Sequence, residues 1–417
     1  MNQLLSFAAF ELRHHLRRPI TYVFMAAMFF LAFLFVTTDA ISIGGVGGKV
    51  VANSPWVVNR VVMILTLIGM IMTSAISGTA ILRDFEIKAH ELLFTTRLRK
   101  SSFVFGRFLG AYGVTVLVFA CSALGMAAGM YAPWLDPDKI GPGGVLNYLW
   151  PLVVYVLPNA LLASALFFAV GILTRSFIAV YVQGVVLFVG YSIALTLLAN
   201  LDNEARAALL DPFGIIATEV IVRSWTVAEK NSLLVPLQDG LLYNRLLWVA
   251  VGLLVLGGAY RLFRMEAFAG TRISKKQRAS ARLMDAAEAA PGPRAQGEAL
   301  PVATPRPGGP RTLPALASLL RLYFHNVTRD RSFRSIVAVG MLMTVLNAFN
   351  ADQLYGTSTY PVTYAMIEVI GSFELFFLIL TALYAGELVW RERSLRCDQI
   401  LDATPVSTTL VFAAKIL

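Results

Sequence analysis

The chain contains two copies of one sequence module, and this repeat limits the folds that are open to it. Residues 77–84 (SGTAILRD) return as residues 385–392 (AGELVWRE), at an offset of about 308 residues. The same offset places Arg107 on Lys415. In each copy a long apolar run ends in a short charged stretch, after which a new apolar run begins. An internal repeat of this kind indicates one structural unit that is built twice.

The composition places this repeated unit in a membrane. Of the 417 residues, 57% are hydrophobic and only 14% are charged, whereas about a quarter of the residues in soluble domains are charged. Six apolar runs in the first copy approach or exceed the ~20 residues that cross a bilayer as a helix. They cover residues 19–36, 56–82, 103–131, 149–173, 177–199 and 243–263. The predicted fold class is therefore an all-α polytopic membrane protein.

Charge then predicts the orientation of the spans. Lys and Arg follow the second, fourth and sixth predicted spans, while acidic residues dominate the loops on the other side. The positive-inside rule puts both ends of the first copy, including the N-terminus, in the cytoplasm. Basic cytoplasmic loops also account for the net charge of +10, so we expect no nucleic-acid partner. Two cysteines offer no disulfide framework.

The N-terminal residues predict an amphipathic helix. Glu11, Arg13, Arg17 and Arg18 lie mostly away from one apolar stripe, which consists of Leu4, Leu5, Ala8, Leu12 and Leu16. Such a helix is typical of the inner membrane interface, where it sits against anionic lipid. The alternative is a cytoplasmic extension of the first span.

The predicted domain organisation follows from these runs. Within the segment between the fifth and sixth spans, Glu219 and Arg223 lie one helical turn apart and are predicted to pair. A linker, residues 264–313, follows the sixth span. It is rich in Pro, Gly and Arg and cannot bury a core. The predicted parts are 1–18 (amphipathic helix), 19–263 (six-span module with an extracellular excursion at 200–242), 264–313 (flexible cytoplasmic linker) and 314–417 (the start of a second module).

Two motif-like stretches do not support catalysis. A phosphate-binding loop needs G-x-x-x-x-G-K-[ST], but Ile43 stands at the first glycine and Val50 at the hydroxyl position. The pair His90-Glu91 begins like a zinc-protease helix, but Phe94 occupies the position of the second zinc ligand. The sequence therefore predicts no metal site, no bound cofactor and no enzyme activity in this chain.

Charge inside a membrane span is costly and indicates function, and three charged residues of the predicted spans are candidates on this ground. Arg60 lies near the outer end of the second span, and Glu368 occupies the same repeat position in residues 362–390. The two side chains either approach each other across a pseudo-twofold axis or reach the outer interface separately. Glu374 lies deeper and is predicted to face a cavity or a partner helix.

The charged segment after the second span recurs in both copies. Residues 83–100 and their counterpart 391–404 combine mixed charge with an apolar edge. A cytoplasmic helix of this kind is suited to docking into a groove of a soluble partner. The residues predicted to make or support that contact are Arg83, Asp84, Glu86 and Glu91 in the first copy, with Arg391 and Glu392 in the second.

The order of these features resembles the permeases of ABC-2-type ABC exporters, which have a type V exporter-like fold. An amphipathic helix, two spans, a charged helix, four further spans and an outer excursion make up that layout. Several phrases resemble the branch in which the permease is fused ahead of an M1-type aminopeptidase. They are residues 91–96 (ELLFTT), 106–110 (GRFLG), 211–214 (DPFG) and 244–248 (NRLLW).

The resemblance implies a division of labour between subunits. Residues 83–100 and 391–404 would be coupling helices that seat in a separate ATP-binding subunit. That subunit would work as a homodimer and hold ATP and magnesium. The permease would lie in the bacterial inner membrane. Because the sequence contains no His-Glu-x-x-His motif, a fused peptidase domain would lie beyond Leu417. The sequence stops inside an apolar segment, so we expect it to be a fragment of a longer product. The substrate is not predicted.

Two other functions remain open from the sequence. A secondary transporter driven by an ion gradient would need carboxylates at the midplane of both copies. Only Glu374 qualifies, and its repeat equivalent is Thr66. The other alternative is a membrane anchor or sensor for a fused peptidase, which would move nothing.

Overall fold

The computed structural model describes residues 3–38, 50–87, 89–199, 204–263 and 312–349, and parts of 353–416. Within these residues the regular secondary structure is helical apart from one antiparallel pair of two-residue strands. Four of the described helices are long and apolar enough to span a membrane, or five if one bent pair counts as a single span. The predicted all-α membrane fold is confirmed. The chain forms two compact units, Met1–Ala269 and Gly270–Leu417.

The first unit is a bundle in which a helix coincides with each predicted apolar run. Helix α10 covers the fifth run, and its stretch Phe177–Tyr191 is a shorter apolar helix. The helices are α1 (Gln3–Leu16), α2 (Pro19–Thr37), α3 (Pro55–Ile68), α4 (Met70–Thr73), α5 (Thr79–Glu86), α6 (Ala89–Phe94), α7 (Lys100–Gly129), α8 (Val145–Pro151), α9 (Leu157–Thr174), α10 (Phe177–Ala199), α11 (Glu204–Leu210), α12 (Ile215–Val222), α13 (Val227–Ser232) and α14 (Asp239–Leu262).

The second predicted span is bent rather than straight. Helix α3 begins at a capped N-terminus, where the Ser54 side chain accepts a hydrogen bond from the Val57 N–H and Pro55 occupies the first turn. The chain bends by 49° between α3 and the following helical stretch. Gly69 stands at the bend, and a π-helical turn, Ser74–Gly78, follows it. Turns of this type interrupt the regular hydrogen-bond ladder and occur often at functional positions.

Helix α7 lies at the centre of the bundle and packs closely against α1 and α2. A Cβ atom added at Gly106 would lie 2.5 Å from the Phe7 Cβ. At Gly110 it would lie 2.6 Å from the Ala8 carbonyl oxygen. At Gly125 it would lie 2.1 Å from the Phe29 carbonyl oxygen. Small residues at this spacing let membrane helices approach until their backbones touch.

The second unit repeats the beginning of this arrangement. Its amphipathic helix ends at Arg329, and the next helix begins at Arg331. The predicted span over residues 362–390 is covered by two helices, Thr363–Gly371 and Glu374–Ser394. The elements are α15 (Thr312–Arg329), α16 (Arg331–Phe349), β1 (Gln353–Leu354), β2 (Thr357–Ser358), α17 (Thr363–Gly371), α18 (Glu374–Ser394) and α19 (Thr408–Ile416). Nearly all of the predicted linker, 264–311, lies outside the described residues.

The close packing of α2 on α7 is tested by adding one methyl group. Gly125→Ala is expected to lower the melting temperature of the detergent-solubilised protein, because the new carbon collides with the Phe29 backbone. Overpacking of this kind costs ~1–3 kcal/mol. Gly113→Ala on the same helix is the matched control, because nothing lies within 4 Å of its added Cβ. Equal melting temperatures for the two variants would contradict the packing.

Candidate functional site

The recurring charged segment of the first unit is not one helix. Arg83 and Asp84 lie in α5, at the end of the bent second span. The six-residue helix α6 follows and ends where the Thr95 and Thr96 hydroxyls bond to the carbonyls of the preceding turn. Hydroxyls that bond to nearby backbone compete with helix continuation. The structure therefore differs from the predicted single helix over 83–100 by placing its two ends on two spans, α5 and α7.

A buried ion cluster connects the ends of three helices. Glu11 of α1 is at its centre and is 0% exposed. The two guanidinium nitrogens of Arg83 each donate to a different Glu11 carboxylate oxygen at 3.0 Å. Arg107 of α7 donates to Glu11 and to Asp84. His15 Nε2 lies 3.1 Å from Glu11 Oε1. These five residues are called the ion cluster.

Aromatic rings close the ion cluster off from solvent. The Arg107 guanidinium carbon lies 5.8 Å from the ring centre of Phe7, 5.1 Å from Phe10 and 5.7 Å from Phe103. The Arg107 side chain is 2% exposed. The planar guanidinium fork can bind two carboxylates at once and stack against rings, which an ammonium group does less well. One side chain thereby holds both acidic partners in place.

The surroundings keep Glu11 ionised. Burial by itself raises the pKa of the Glu11 carboxyl, but hydrogen bonds to His15 and Arg83 and the charges of Arg107 and Arg83 outweigh it. The net effect lowers the pKa of Glu11 to about 2. Removing one partner from a buried charge pair typically costs about 3–5 kcal/mol, because the other charge is left without compensation. The cluster is therefore a strong constraint on the positions of α1, α5 and α7.

The buried face of α1 differs from the sequence prediction. Glu11, which was predicted to lie away from the apolar stripe, is buried in this helix together with His15. Leu5 and Phe10 are 59% and 53% exposed. The reason is that the two cations of α5 and α7 make a site for a carboxylate, which the helical pattern of α1 alone does not reveal.

The same contact is built again in the second unit. Glu392 and Lys415 form a salt bridge whose side chains are 20% and 9% exposed. These residues are the repeat equivalents of Asp84 and Arg107. The Tyr323 hydroxyl of α15, at the repeat position of His15, donates to Glu392 at 2.7 Å. Each unit thus joins its amphipathic helix, through a polar contact, to the two helices on either side of the recurring charged segment.

The other predicted site residues have different surroundings. Arg60 pairs with Glu219 at 2.7 Å and lies over the Trp56 ring. Arg223 pairs with Glu204 at 2.6 Å, so the predicted pair of Glu219 with Arg223 is wrong. The reason is that α12 lies beside α3, which offers Glu219 a partner on another helix. Arg391 lies near the end of α18 and is partly buried. The side chains of Glu86, Glu91, Glu368 and Glu374 lie outside the described part of the structure.

The segment between the two spans exposes apolar side chains that were not chosen as contact residues. Ile87 is 65% exposed and Leu92 is 75% exposed, although both lie beside the buried ion cluster in sequence. Their apolar character within a charged segment was the signal in the sequence that could have identified them as contact residues. Across the described residues, no group of three His, Cys, Asp or Glu is placed to hold a metal ion.

The comparison with protein families agrees with this geometry. Residues 53–217 match the family model described as ABC-2 family transporter protein. This stretch of the chain is ABC-2-like. The ABC-2-like stretch begins just before the bent second span, contains α5, α6 and α7, and ends within α12. No curated protein matches the chain. Together with the apolar helices, the match supports a multi-pass membrane protein of the transporter type.

Acid should weaken the contact of α1 with the ABC-2-like stretch. Since the folded protein holds the pKa of Glu11 at about 2 and the ordinary value is 4.5, the stabilisation is complete above pH 4.5 and is lost as the pH falls toward 2. Its size is roughly 3 kcal/mol. Glu11→Gln is expected to be less stable at pH 6 and to lose less stability than wild type on acidification, as measured by tryptophan fluorescence during thermal unfolding in detergent.

Glu204→Gln is the control for this measurement, because Glu204 belongs to a pair with 60% and 71% exposed side chains. It should keep the wild-type dependence on pH. A Glu11→Gln curve that runs parallel to wild type would contradict the assigned role of Glu11.

The two copies also predict different tolerance to an exchange of cations. Arg107→Lys removes the second arm of the fork and should lower the melting temperature, because one ammonium cannot reproduce both contacts. Lys415→Arg keeps a cation beside Glu392 and should change the melting temperature less. A larger loss for Lys415→Arg would contradict the two-carboxylate role of Arg107.

Proposed function

We propose that the chain is the membrane permease of an ATP-driven ABC-2-type exporter. A separate ATP-binding subunit, as a homodimer, supplies ATP and magnesium, and the permease couples its closure to movement of a substrate across the inner membrane. The N-terminus and the ends of α5 and α7 face the cytoplasm. Support comes from the family match over residues 53–217 and from the basic residues at that end of the bundle.

The observation that carries this proposal is the ion cluster beside an exposed apolar segment. Force applied to the segment around α6 reaches α5 and α7 directly, because the segment lies between them in the chain. Arg107 and Glu11 then fix those two helices to α1. Paired charges with defined hydrogen bonds hold register more strictly than apolar contact does. The ion cluster therefore transmits a displacement to α1, α5 and α7 together.

The residues divide into two roles in this proposal. Arg83 and Asp84 are positioning residues, since their charged groups bond inward to Glu11 and Arg107. Ile87 and Leu92 contact the ATP-binding subunit. Apolar side chains exposed at the tip of a charged segment are suited to a groove on a soluble partner.

The remaining candidates extend these roles. Glu86 and Glu91 add charge to the contact, and Arg391 with Glu392 has the corresponding role in the second unit. The likeness of several phrases to the peptidase-fused branch extends the proposal to a peptidase domain after residue 417 in the full-length product.

Affinity purification of the tagged full-length product in detergent tests the proposal. Wild type is expected to recover an ATP-binding subunit, and Leu92→Asp is expected to lose it, because a carboxylate replaces the apolar contact. Leu210→Asp is the matched control, since Leu210 is also exposed (57%) but lies in α11. Loss of the subunit from both variants would contradict a specific contact at Leu92.

Charge reversal tests the positioning residues. Arg83→Glu places a second carboxylate against Glu11 and should reduce both recovery of the ATP-binding subunit and the melting temperature. Arg391→Glu should reduce recovery through the second unit. An intact wild-type permease that recovers no ATPase would exclude the exporter function and leave a gradient-driven transporter or a membrane anchor.

A further inference from the structure

The end of the first unit opposite the ion cluster is closed by a buried polar network. Asp211 is 0% exposed and accepts hydrogen bonds from the Tyr191 hydroxyl at 2.7 Å and from the N–H groups of Phe213 and Ile216 at 2.9 and 2.7 Å. Asn244, also 0% exposed, donates to the carbonyls of Ala208 and Asp211 at 2.6 and 2.8 Å. The network therefore fastens α11 and α12 to α10 and α14.

Arg245 lies next to this fastening and is 4% exposed. It donates to the side-chain oxygens of Asn159 at 2.8 Å and Asn244 at 2.9 Å, and to the Pro212 carbonyl at 3.2 Å. Gly214 makes room for it, with φ at +80° and an added Cβ that would lie 2.5 Å from the guanidinium. Among the described residues these hydrogen bonds of Arg245 go to neutral oxygens, so the position of each oxygen matters to a buried cation.

Asn159 of α9 joins this network to the second span. Its amide nitrogen donates to Thr66 Oγ1 at 2.9 Å and to the Phe213 carbonyl at 3.4 Å, while its oxygen accepts from Arg245. The side chain is 2% exposed. One amide group thus bonds to α3, to α14 and to the segment that leads into α12.

Thr66 lies one turn before the bend of the second span. The far end of the same span is held by Asp84 in the ion cluster. Between the two anchors lie Gly69 and the π-helical turn, where Ser77 bonds to Ser164 of α9 at 2.9 Å. A bent helix that is anchored at both ends and irregular between them can transmit a change in bend angle from one anchor to the other.

We propose that Asn159 is a positioning residue through which movement of the second span reaches α11 and α12. The inference rests on the proposed function, because the movement enters at the segment around α6. When the span changes its bend, Thr66 shifts against Asn159, and Asn159 shifts the oxygen that holds Arg245. The helices at that end of the bundle then move with the ATP cycle.

The test measures a distance in the full-length complex with its ATP-binding subunit. Spin labels are placed at Val220→Cys in α12 and at Tyr131→Cys beyond the end of α7, which are 42% and 88% exposed. Cys121 and Cys397 are replaced by serine. The distance is measured by pulsed electron resonance without nucleotide and after trapping with ATP and vanadate. A nucleotide-dependent shift is expected in the labelled protein.

Substitutions at Thr66 test the role of the hydrogen bond between Asn159 and Thr66. Thr66→Val keeps the shape and removes the hydroxyl that Asn159 contacts, so it should abolish the shift. It should also lower the melting temperature, because the buried Asn159 N–H and the Met63 carbonyl each lose a partner. Thr66→Ser restores the hydroxyl and should restore the shift. Thr37→Val in α2 is the matched control, since the Thr37 hydroxyl bonds only to the Phe33 carbonyl of its own helix in the described contacts. Asn159→Leu also takes an acceptor from Arg245, so the milder Thr66→Val is decisive.

The outcomes separate this inference from the proposed function. A complex that hydrolyses ATP while the labels stay fixed, or a Thr66→Val variant that shifts like wild type, would overturn the inference alone. If both Thr66→Val and Thr66→Ser lose the shift and have a lowered melting temperature, the contact between Thr66 and Asn159 only stabilises the fold. That result also overturns the inference. Absence of any ATP-binding subunit would instead defeat the proposed function.

Discussion

A carboxylate that is shielded from solvent determines how the first unit is assembled. Glu11 is fully buried, so its charge is stabilised by the groups that the protein brings to it, the guanidinium groups of Arg83 and Arg107 and the ring of His15. Lipid tails are as apolar as leucine, and apolar packing alone therefore discriminates weakly between positions of one membrane helix against another. A buried charge tolerates few arrangements. The relative positions of α1, α5 and α7 are set by this requirement, and the rest of the bundle is arranged around them.

The glycines of α7 make the short contacts of the ion cluster geometrically feasible. Gly106 and Gly110 flank Arg107 and let the backbone of α1 approach to contact distance. With bulkier residues there, α1 would stand further off and the Glu11 carboxylate would not reach both guanidinium groups. Close packing and ion pairing therefore depend on each other, so neither can be changed independently.

The sequence predicted the repeat, the apolar runs and the equivalence of Arg107 with Lys415, because these depend on local pattern and offset. It did not predict that Glu11 would be buried, since helical spacing places Glu11 and His15 on one face but does not say which face packs. Glu219 had one partner in its own helix and one in α3, and only the tertiary structure selects Arg60. Asn159 gave no signal at all, because a single amide in an apolar run has no pattern.

The two units differ in the group that the amphipathic helix contributes to its polar contact with the neighbouring helices. In the first unit α1 supplies a carboxylate, whereas the repeat position of Glu11 is Leu319 and the contact of the second unit is completed by the neutral hydroxyl of Tyr323. Lys415 and Glu392 form the ionic part of that contact, and Arg391 stands at the repeat position of Arg83. What the two copies share at this place is thus the position of a polar contact rather than a fixed set of side chains. A duplicated module can keep such a contact while a neutral hydroxyl group takes over from an ionised one.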